Sequence, residues 1–257
     1  MRVALGVEYD GSQFHGWQAQ KDGVRTVQAI LEQALTKVAN HPVRVICAGR
    51  TDTGVHGVGQ VVHFDSPSLR TPRNWILGAN VNMPPDVSVN WAQPVADDFH
   101  ARFSATGRHY RYLILNRASR SALMARRATW IHKPLDAGLM HAAGQMLLGR
   151  HDFSSYRALQ CQAKSPVHTL RELTVNRQGE RIELRVSADA FLHHMIRNIA
   201  GVLIAIGAGE QPVGWAREVL ELRDRTLGGV TAPADGLYFE HVEYPAKFGL
   251  NSSQSHI

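Results

Sequence analysis

The chain has 257 residues, of which 44% are hydrophobic and 19% are charged. These ordinary globular values exclude a disordered chain and a small fold that depends on a disulfide or a metal, and they allow one domain or two. With 28 Lys+Arg against 22 Asp+Glu, the formal charge is +6, which favours a polyanionic partner such as nucleic acid.

The first part of the chain, residues 1–105, alternates the sequence patterns of strands and helices. Val3, Leu5 and Val7 recur with the period of two that is typical of a strand, and apolar residues after Thr26 recur at helical spacing. The predicted elements are a strand at 3–8, a helix at 27–38, strands at 43–47 and 58–64, a helix at 72–78 and a strand at 87–91. The order is βαββαβ.

The second part, residues 106–245, repeats this order with one extra helix. The predicted elements are a strand at 110–114, a helix at 136–148 closed by Gly149, strands from 170 and 181, an apolar helix over 191–206, a helix at 213–222 and a strand at 237–244. The sequence therefore predicts an α+β fold of two tandem ferredoxin-like units with largely antiparallel sheets. Residues 246–257 are expected to form a disordered tail.

The two cysteines, Cys47 and Cys161, lie far apart in the chain and form no CxxC pair. This spacing argues against a zinc module or a disulfide scaffold and suits a reducing compartment. The first residues lack the apolar segment of a signal peptide, and no apolar run approaches the roughly 18 residues of a membrane span. A soluble, cytoplasmic protein is expected.

The connector between the strands at 43–47 and 58–64, residues 48–57, is the segment that best fits a functional site. It contains Gly49, Gly54 and Gly57, which suits close approach to a ligand. Asp52 lies at its centre, with Arg50 two residues before it and His56 four residues after it. The segment thus predicts a carboxylate presented beside cationic or hydrogen-bonding groups.

Other interpretations of this connector differ in strength. Gly49 and Gly54 have the glycine spacing of a P-loop. However, Val55-His56 stands where a P-loop needs Lys and Ser or Thr. Asp52-Thr53-Gly54 imitates an aspartic protease, yet the second such tripeptide that its paired carboxylates require is missing from the chain. An Asx-turn in a glycine-rich loop, with no chemical role, stays open.

The connector and a series of further motifs resemble the TruA family of tRNA pseudouridine synthases. Ala48–His56 is similar to the family's active-site motif, in which Gly-Arg-Thr-Asp carries the catalytic aspartate. The other motifs follow in the family's order: Tyr9-Asp10-Gly11, Phe14-His15-Gly16-Trp17-Gln18, Arg25-Thr26-Val27-Gln28, Asn80-x-Asn82, Phe99-His100-Ala101-Arg102-Phe103, Arg108-x-Tyr110-Arg111-Tyr112, His151-Asp152-Phe153, Phe191-Leu192-x-His194-Met195-Ile196-Arg197 and Ala232-Pro233-Ala234-x-Gly236-Leu237. The resemblance covers residues 1–245.

The resemblance implies an isomerase that converts uridine to pseudouridine in the anticodon stem-loop of tRNA, at tRNA positions 38–40, without cofactor or metal. It implies that Asp52 is the essential catalytic group and that Arg197 is its ion-pair partner. Arg50 resembles the residue that replaces the flipped-out target nucleotide. Tyr110 resembles the tyrosine that stacks on the target base, and Leu237 resembles the aliphatic residue against the uracil.

For several of these residues a purely structural role is also open. Arg197 could be a surface arginine, Leu237 an ordinary core leucine, and Tyr112, on the same strand face as Tyr110, a core residue. His193 and His194, interpreted as adjacent on a helix, suit packing or RNA contacts better than a metal site. These two histidines and His109 depart modestly from the family pattern.

The implied partners are the anticodon arm of tRNA and a second copy of the chain, since family members act as homodimers with a central RNA-binding cleft. The loop from Tyr9 to Arg25, with Phe14, Trp17, Gln18, Gln20 and Lys21, suits stacking and phosphate contact at the rim of a basic cleft, or it is a capped Ω-loop. The alternative functions are a non-catalytic RNA-binding protein on the same scaffold and a hydrolase that releases uracil.

Overall fold

A computed structural model describes residues 1–20, 23–161 and 163–250. The chain divides into two compact units, one formed by Met1–Thr106 with the chain from Tyr238 on, the other by Gly107–Leu237. Among the described residues, no helix combines the length and the apolar character needed to cross a bilayer.

The helices and strands follow one another in the predicted order, with two additional short strands. They are β1 (Arg2–Tyr9), α1 (Val27–Ala39), β2 (Ile46–Cys47), β3 (His56–Asp65), α2 (Pro72–Val81), β4 (Val87–Val95), β5 (Gly107–Asn116), β6 (Thr129–Ile131), α3 (Ala137–Gln145), β7 (Gly149–Asp152), β8 (Val167–Gln178), β9 (Arg181–Ala188), α4 (Met195–Gly207), α5 (Trp215–Leu222) and β10 (Leu237–Glu243).

The sheet of the first unit has the strand order of a ferredoxin-like fold. β1 pairs antiparallel with both β4 and β3, and β2 pairs antiparallel with β3. β10 runs parallel to the start of β3, with Tyr238 opposite His56 and Phe239 opposite Gly57. The α+β fold with a largely antiparallel sheet is thereby confirmed for this unit.

β2 is shorter than the predicted strand at 43–47 because side chains of α1 occupy the backbone donors that come before it. The amide of Val43 donates to the Thr36 hydroxyl at 3.0 Å, and the amide of Val45 donates to the Glu32 carboxylate at 3.0 Å. A backbone N–H committed to a side chain cannot also serve a strand ladder. Pairing with β3 therefore begins only at Ile46.

The core of the first unit lies between its sheet and the helices α1 and α2. Leu31 and Leu35 of α1 are fully buried, as the helical spacing predicts, and Trp75 of α2 packs edge-on against Phe64 at a ring distance of 5.0 Å. α2 begins after Thr71, whose hydroxyl accepts from the Asn74 amide at 3.2 Å. The predicted cap of α2 is confirmed.

The chain end differs from its expected arrangement. The sequence assigned the last strand to the second part, whereas the residues of β10 from Tyr238 on pack with the first unit. Residues 246–250 of the expected tail are also ordered, since Phe248 is buried and lies 5.2 Å from the Phe99 ring. The rest of that tail, 251–257, lies outside the described residues.

The second unit contains an antiparallel run of strands in the order β5, β9, β8, β7, with β6 parallel to β5. The sequence predicted neither β6 nor β7. Gly149, expected to close a helix, instead begins β7 in a left-handed conformation with φ of 101°. α3 ends earlier, at Gln145, and its first turn is capped by Asp136, which accepts from the Leu139 amide at 3.0 Å.

α4 begins four residues later than the apolar pattern from Phe191 suggests. His194 has φ of 62°, a left-handed conformation that the helix cannot include, and α4 starts at Met195. His193 and His194 therefore precede the helix, and the expectation that they lie adjacent on it is wrong. Their rings lie 4.0 Å apart.

Buried His63 of β3 is expected to make stability depend on pH. Burial lowers the pKa of His63 to about 4, and the charges of His100 and Arg2 add to this effect. In the unfolded chain the imidazole of His63 takes up a proton near pH 6.5. The contribution of neutral His63 to the free energy of unfolding is therefore complete above pH 6.5 and is lost as the pH falls towards 4.

Urea unfolding of the wild type and of His63→Gln at pH 7 and pH 4.5 measures this contribution. We expect the wild type to lose about 2 kcal/mol more than the variant over that interval. Equal losses in the two proteins would show that His63 is protonated equally in the folded and unfolded states.

Candidate active site

The connector that carries Asp52 is fixed to β3 at its first residues. The amide of Ala48 donates to the Val61 carbonyl at 2.8 Å. The side chain of Gln60, which is fully buried, donates to the Gly49 carbonyl at 2.6 Å. Hydrogen bonds of this kind hold the start of an irregular segment in one position.

Thr51, directly before Asp52, is anchored from the other side by β1 and the loop after it. The Trp17 amide donates to the Thr51 carbonyl at 3.0 Å. The hydroxyl groups of Thr51 and Tyr9 are hydrogen-bonded at 2.8 Å, and both residues are buried. Main chain and side chain of the residue before the carboxylate are therefore both fixed.

Asp52 itself lies in a tight turn and is partly exposed. Its backbone carbonyl accepts from the Val55 amide at 3.1 Å, and the Gly54 amide donates to the Phe14 carbonyl at 3.3 Å. Arg50, two residues earlier, is exposed. The connector thus presents a carboxylate on a backbone that is held on both sides, with a cationic side chain nearby in sequence.

His56 has a different role from the one its spacing suggested. It is buried, its Nδ1 accepts from the Gly11 amide at 3.1 Å, and its ring stacks on Tyr238 at 4.5 Å. An Nδ1 that accepts this bond carries no proton. It therefore has no proton to donate to the Asp10 carboxylate, which lies 3.3 Å away. His56 anchors the end of the connector.

Two of the connector's glycines serve the protein's own packing. Gly54 has φ of 80°, which the turn after Asp52 requires. A Cβ at Gly57 would lie 2.4 Å from the ring of Tyr9. The sequence suggested that these glycines allow close approach of a ligand. In the structure, the turn requires Gly54 and the packing against β1 requires Gly57.

The loop from Tyr9 to Arg25 does not offer the stacking surface that its composition suggested. Phe14 and Trp17 are 2% and 1% exposed, so neither ring is accessible to a base. Arg25 lies 4.0 Å over the Phe14 ring and forms an ion pair with Asp86 at 2.9 Å. The structure favours the packed-loop alternative for these residues, while Lys21 lies outside the described residues.

The hydrogen bond between Tyr9 and Thr51 is expected to stabilise the connector measurably. Removing one partner leaves the other buried without it, which costs about 1–3 kcal/mol. We therefore expect Tyr9→Phe and Thr51→Val each to lower the free energy of unfolding by about this amount. In a double-mutant cycle by urea unfolding, the two losses should be clearly less than additive; additive losses would contradict the coupling.

Two tyrosines of β5, Tyr110 and Tyr112, differ in their burial and in the contacts of their side chains. Tyr112 is fully buried, and its hydroxyl contacts the Thr129 hydroxyl at 2.6 Å and donates to the Pro233 carbonyl at 2.8 Å. Tyr110 is 8% exposed and packs edge-on against Phe191 at 5.2 Å. Tyr112 is thus a core residue, and Tyr110 stays the better candidate for contact with a base.

Arg197, in the first turn of α4, is half-buried and held in place. Its Nε donates to the Ala232 carbonyl at 2.9 Å, and the Ala232 amide donates to the Arg197 carbonyl at 3.0 Å. This pair of bonds disfavours the alternative of a loose surface arginine. Leu237 is 6% exposed, which fits a core leucine as well as a residue against a base.

The predicted site residues divide between the two units. Arg50 and Asp52 share one connector of the first unit, and Tyr110, Arg197 and Leu237 belong to the second. Sequence reasoning missed the residues that anchor the connector, above all Thr51 and Gln60. Their only sequence signal is that Thr51 lies within the resembling motif, whereas nothing distinguishes Gln60 from a surface glutamine.

Comparison with known proteins agrees with the resemblance. A family model described as tRNA pseudouridine synthase matches residues 6–104 and 143–245. Proteins named tRNA pseudouridine synthase A are similar: that of Nitrosococcus oceani is 62% identical over 97% of this chain and 96% of its own, that of Alcanivorax borkumensis 58% over 97% and 93%, and that of Pseudomonas aeruginosa 57% over 97% and 87%. The chain therefore belongs to the tRNA pseudouridine synthase family.

Proposed function

We propose that this protein is an isomerase that converts uridine to pseudouridine in the anticodon stem-loop of tRNA, with Asp52 as its essential catalytic group. Membership of the family supports the reaction and the class of RNA. The observation that carries the assignment to Asp52 is its position on a connector anchored on both sides, within residues that the family model matches.

The proposed reaction breaks the bond between C1′ of the ribose and N1 of the uracil, rotates the base, and forms a bond between C1′ and C5. The proton lost from C5 is balanced by one gained at N1, so neither an oxidant nor a phosphate donor is consumed. One ionised carboxylate suffices, whether Asp52 attacks C1′, adds to the base or removes a ribose proton. A partly exposed carboxylate on a fixed turn suits all three routes.

The supporting residues are proposed in the roles that the resemblance gives them. Arg197 is the ion-pair partner that the resemblance assigns to Asp52, and its Nε bond to the Ala232 carbonyl supports this role by fixing the guanidinium. Exposed Arg50 takes the place of the target nucleotide when that nucleotide is flipped out. Tyr110 stacks on the uracil, and Leu237 packs against it. No metal or cofactor takes part in this scheme, and the active form is a homodimer in the cytoplasm.

Carbodiimide mapping of pseudouridine in tRNA from cells that lack this chain tests the reaction and its site together. We expect marks to disappear only in the anticodon arm and to return when the wild-type chain is supplied. Unchanged marks would overturn the proposal and favour a non-catalytic RNA-binding protein. Release of free uracil by the purified protein would instead identify a hydrolase.

A further inference from the structure

Phe103, at the end of the motif Phe99-His100-Ala101-Arg102-Phe103, is the most exposed Phe, Tyr or Trp side chain in the part of the chain that the structure describes, at 77%. Single exposed apolar residues are common on protein surfaces and need no explanation by themselves. What distinguishes this ring is the organised set of groups around it.

The backbone of the segment is held by hydrogen bonds that converge on it. Nδ1 of His100 accepts from the amides of Arg102 and Phe103 at 3.2 and 3.1 Å. The Ala101 amide donates to Nδ1 of buried His63 at 3.1 Å, and the Ala101 carbonyl accepts from the Tyr244 hydroxyl at 2.6 Å. An exposed ring is thus presented on a rigid rather than a loose segment.

The ring of Phe103 also has an aromatic and a cationic neighbour. The His100 ring lies 4.3 Å away at an interplanar angle of 30°, and the Arg102 guanidinium lies 5.7 Å from the ring centroid. Burial, with the charges of Arg2 and Arg102, lowers the pKa of His100, which keeps its ring neutral. A flat ring beside a guanidinium is the combination that binds a base together with its phosphate.

Arg102 and Arg50 of the connector act on the same buried thiol, that of Cys47. Burial raises the pKa of the Cys47 thiol to about 12, and the charges of Arg50 and Arg102 both oppose this rise. Both guanidinium groups therefore lie within electrostatic reach of Cys47, directly before the connector that carries Asp52. A guanidinium beside an exposed ring favours an anionic RNA over an apolar protein partner.

We propose that Phe103 and Arg102 form a nucleotide-binding platform, on which an unpaired base of the RNA substrate stacks against Phe103 while Arg102 contacts its phosphate. This inference rests on the proposed function, because it assigns the platform to the same RNA. Its role is to position the RNA relative to the connector. Phe103 and Arg102 take no part in the bond changes at the uridine.

The test measures the Kd for tRNA and the KM and kcat of pseudouridine formation for Phe103→Ala, Phe103→Trp and Arg102→Ala. The matched control is Leu69→Ala in the same unit, where an 86% exposed apolar side chain is removed. We expect Phe103→Ala to weaken binding and raise KM by about 5- to 100-fold with little change in kcat. Phe103→Trp should bind tRNA as tightly as the wild type, and Leu69→Ala should leave Kd, KM and kcat unchanged.

The dependence of binding on salt separates the two parts of the platform. Arg102→Ala should reduce the slope of log K against log salt by about 1, whereas Phe103→Ala should leave that slope unchanged. Thermal unfolding of each variant shows whether the fold is retained.

An active wild type with unchanged Kd and KM in Phe103→Ala overturns this inference alone. Changed self-association of the variant with unaltered tRNA affinity also overturns it, because the ring would then contact a second copy of the chain. A wild type that binds tRNA through Phe103 but forms no pseudouridine would instead overturn the proposed function.

Discussion

Replacing Asp52 with Asn is expected to reduce pseudouridine formation by at least about 10³-fold while tRNA still binds. The amide matches the carboxylate in size but cannot act as a nucleophile or a base, and such groups contribute on the order of 10²–10⁴-fold or more to a rate. The connector's anchors at Thr51 and Gln60 do not involve the replaced group. A tritium-release or carbodiimide assay, with a filter-binding Kd, measures both quantities.

The matched control for this variant is Asp97→Asn, which removes an exposed carboxylate of the same unit. It should retain wild-type activity. If Asp52→Asn also retained activity, Asp52 would have no catalytic role. If Asp52→Asn lost tRNA binding and activity together, Asp52 would instead be a residue that holds the RNA.

Replacing Trp17 with Ala is expected to lower the free energy of unfolding by about 3–5 kcal/mol, the usual cost of truncating a buried aromatic side chain. Trp17 is 1% exposed and packs against Tyr9 at a ring distance of 5.8 Å. Its backbone amide, which the substitution keeps, donates to the Thr51 carbonyl, so the loss of packing at this position should loosen the connector and reduce activity. Chemical denaturation followed by circular dichroism measures the change.

Trp130→Ala is the matched control, because that ring is 42% exposed. It should cost clearly less than Trp17→Ala, because the ring is partly exposed and its hydrogen bond from Nε1 to the Arg117 carbonyl, at 2.9 Å, lies at the surface. If Trp17→Ala were as stable as the wild type and bound tRNA weakly, Trp17 would be the stacking residue that the loop's composition suggested.

The fold was predictable from the sequence wherever one face of a strand or helix is buried, because its apolar residues then recur with a regular period. The alternation in β1 and the helical spacing in α1 each identify one buried face, and both elements lie where that pattern places them. Boundaries set by single side chains were not predictable. Glu32 shortens β2 by taking the Val45 amide, and left-handed His194 delays the start of α4.

The candidate site was predictable only as far as its motif reached. Asp52 and Arg50 follow from a short run of residues with a distinctive composition, whereas Gln60 acts through burial that the chain's pattern does not reveal. For Trp17 the sequence suggested a stacking surface where the structure has a core residue, because an aromatic residue in a glycine-containing loop can point inward or outward. Only the surrounding packing decides, and it places this ring in the core.

The pairing of β10 with β3 has a consequence for how the protein is made. His56 and Gly57, which end the connector, are paired with Tyr238 and Phe239, residues that leave the ribosome only after the whole second unit, Gly107–Leu237, has been synthesised. Because strands can pair only when both have emerged, the connector lacks its last support until the second unit has been translated. A chain released early would carry every residue of the connector without the strand that holds its end.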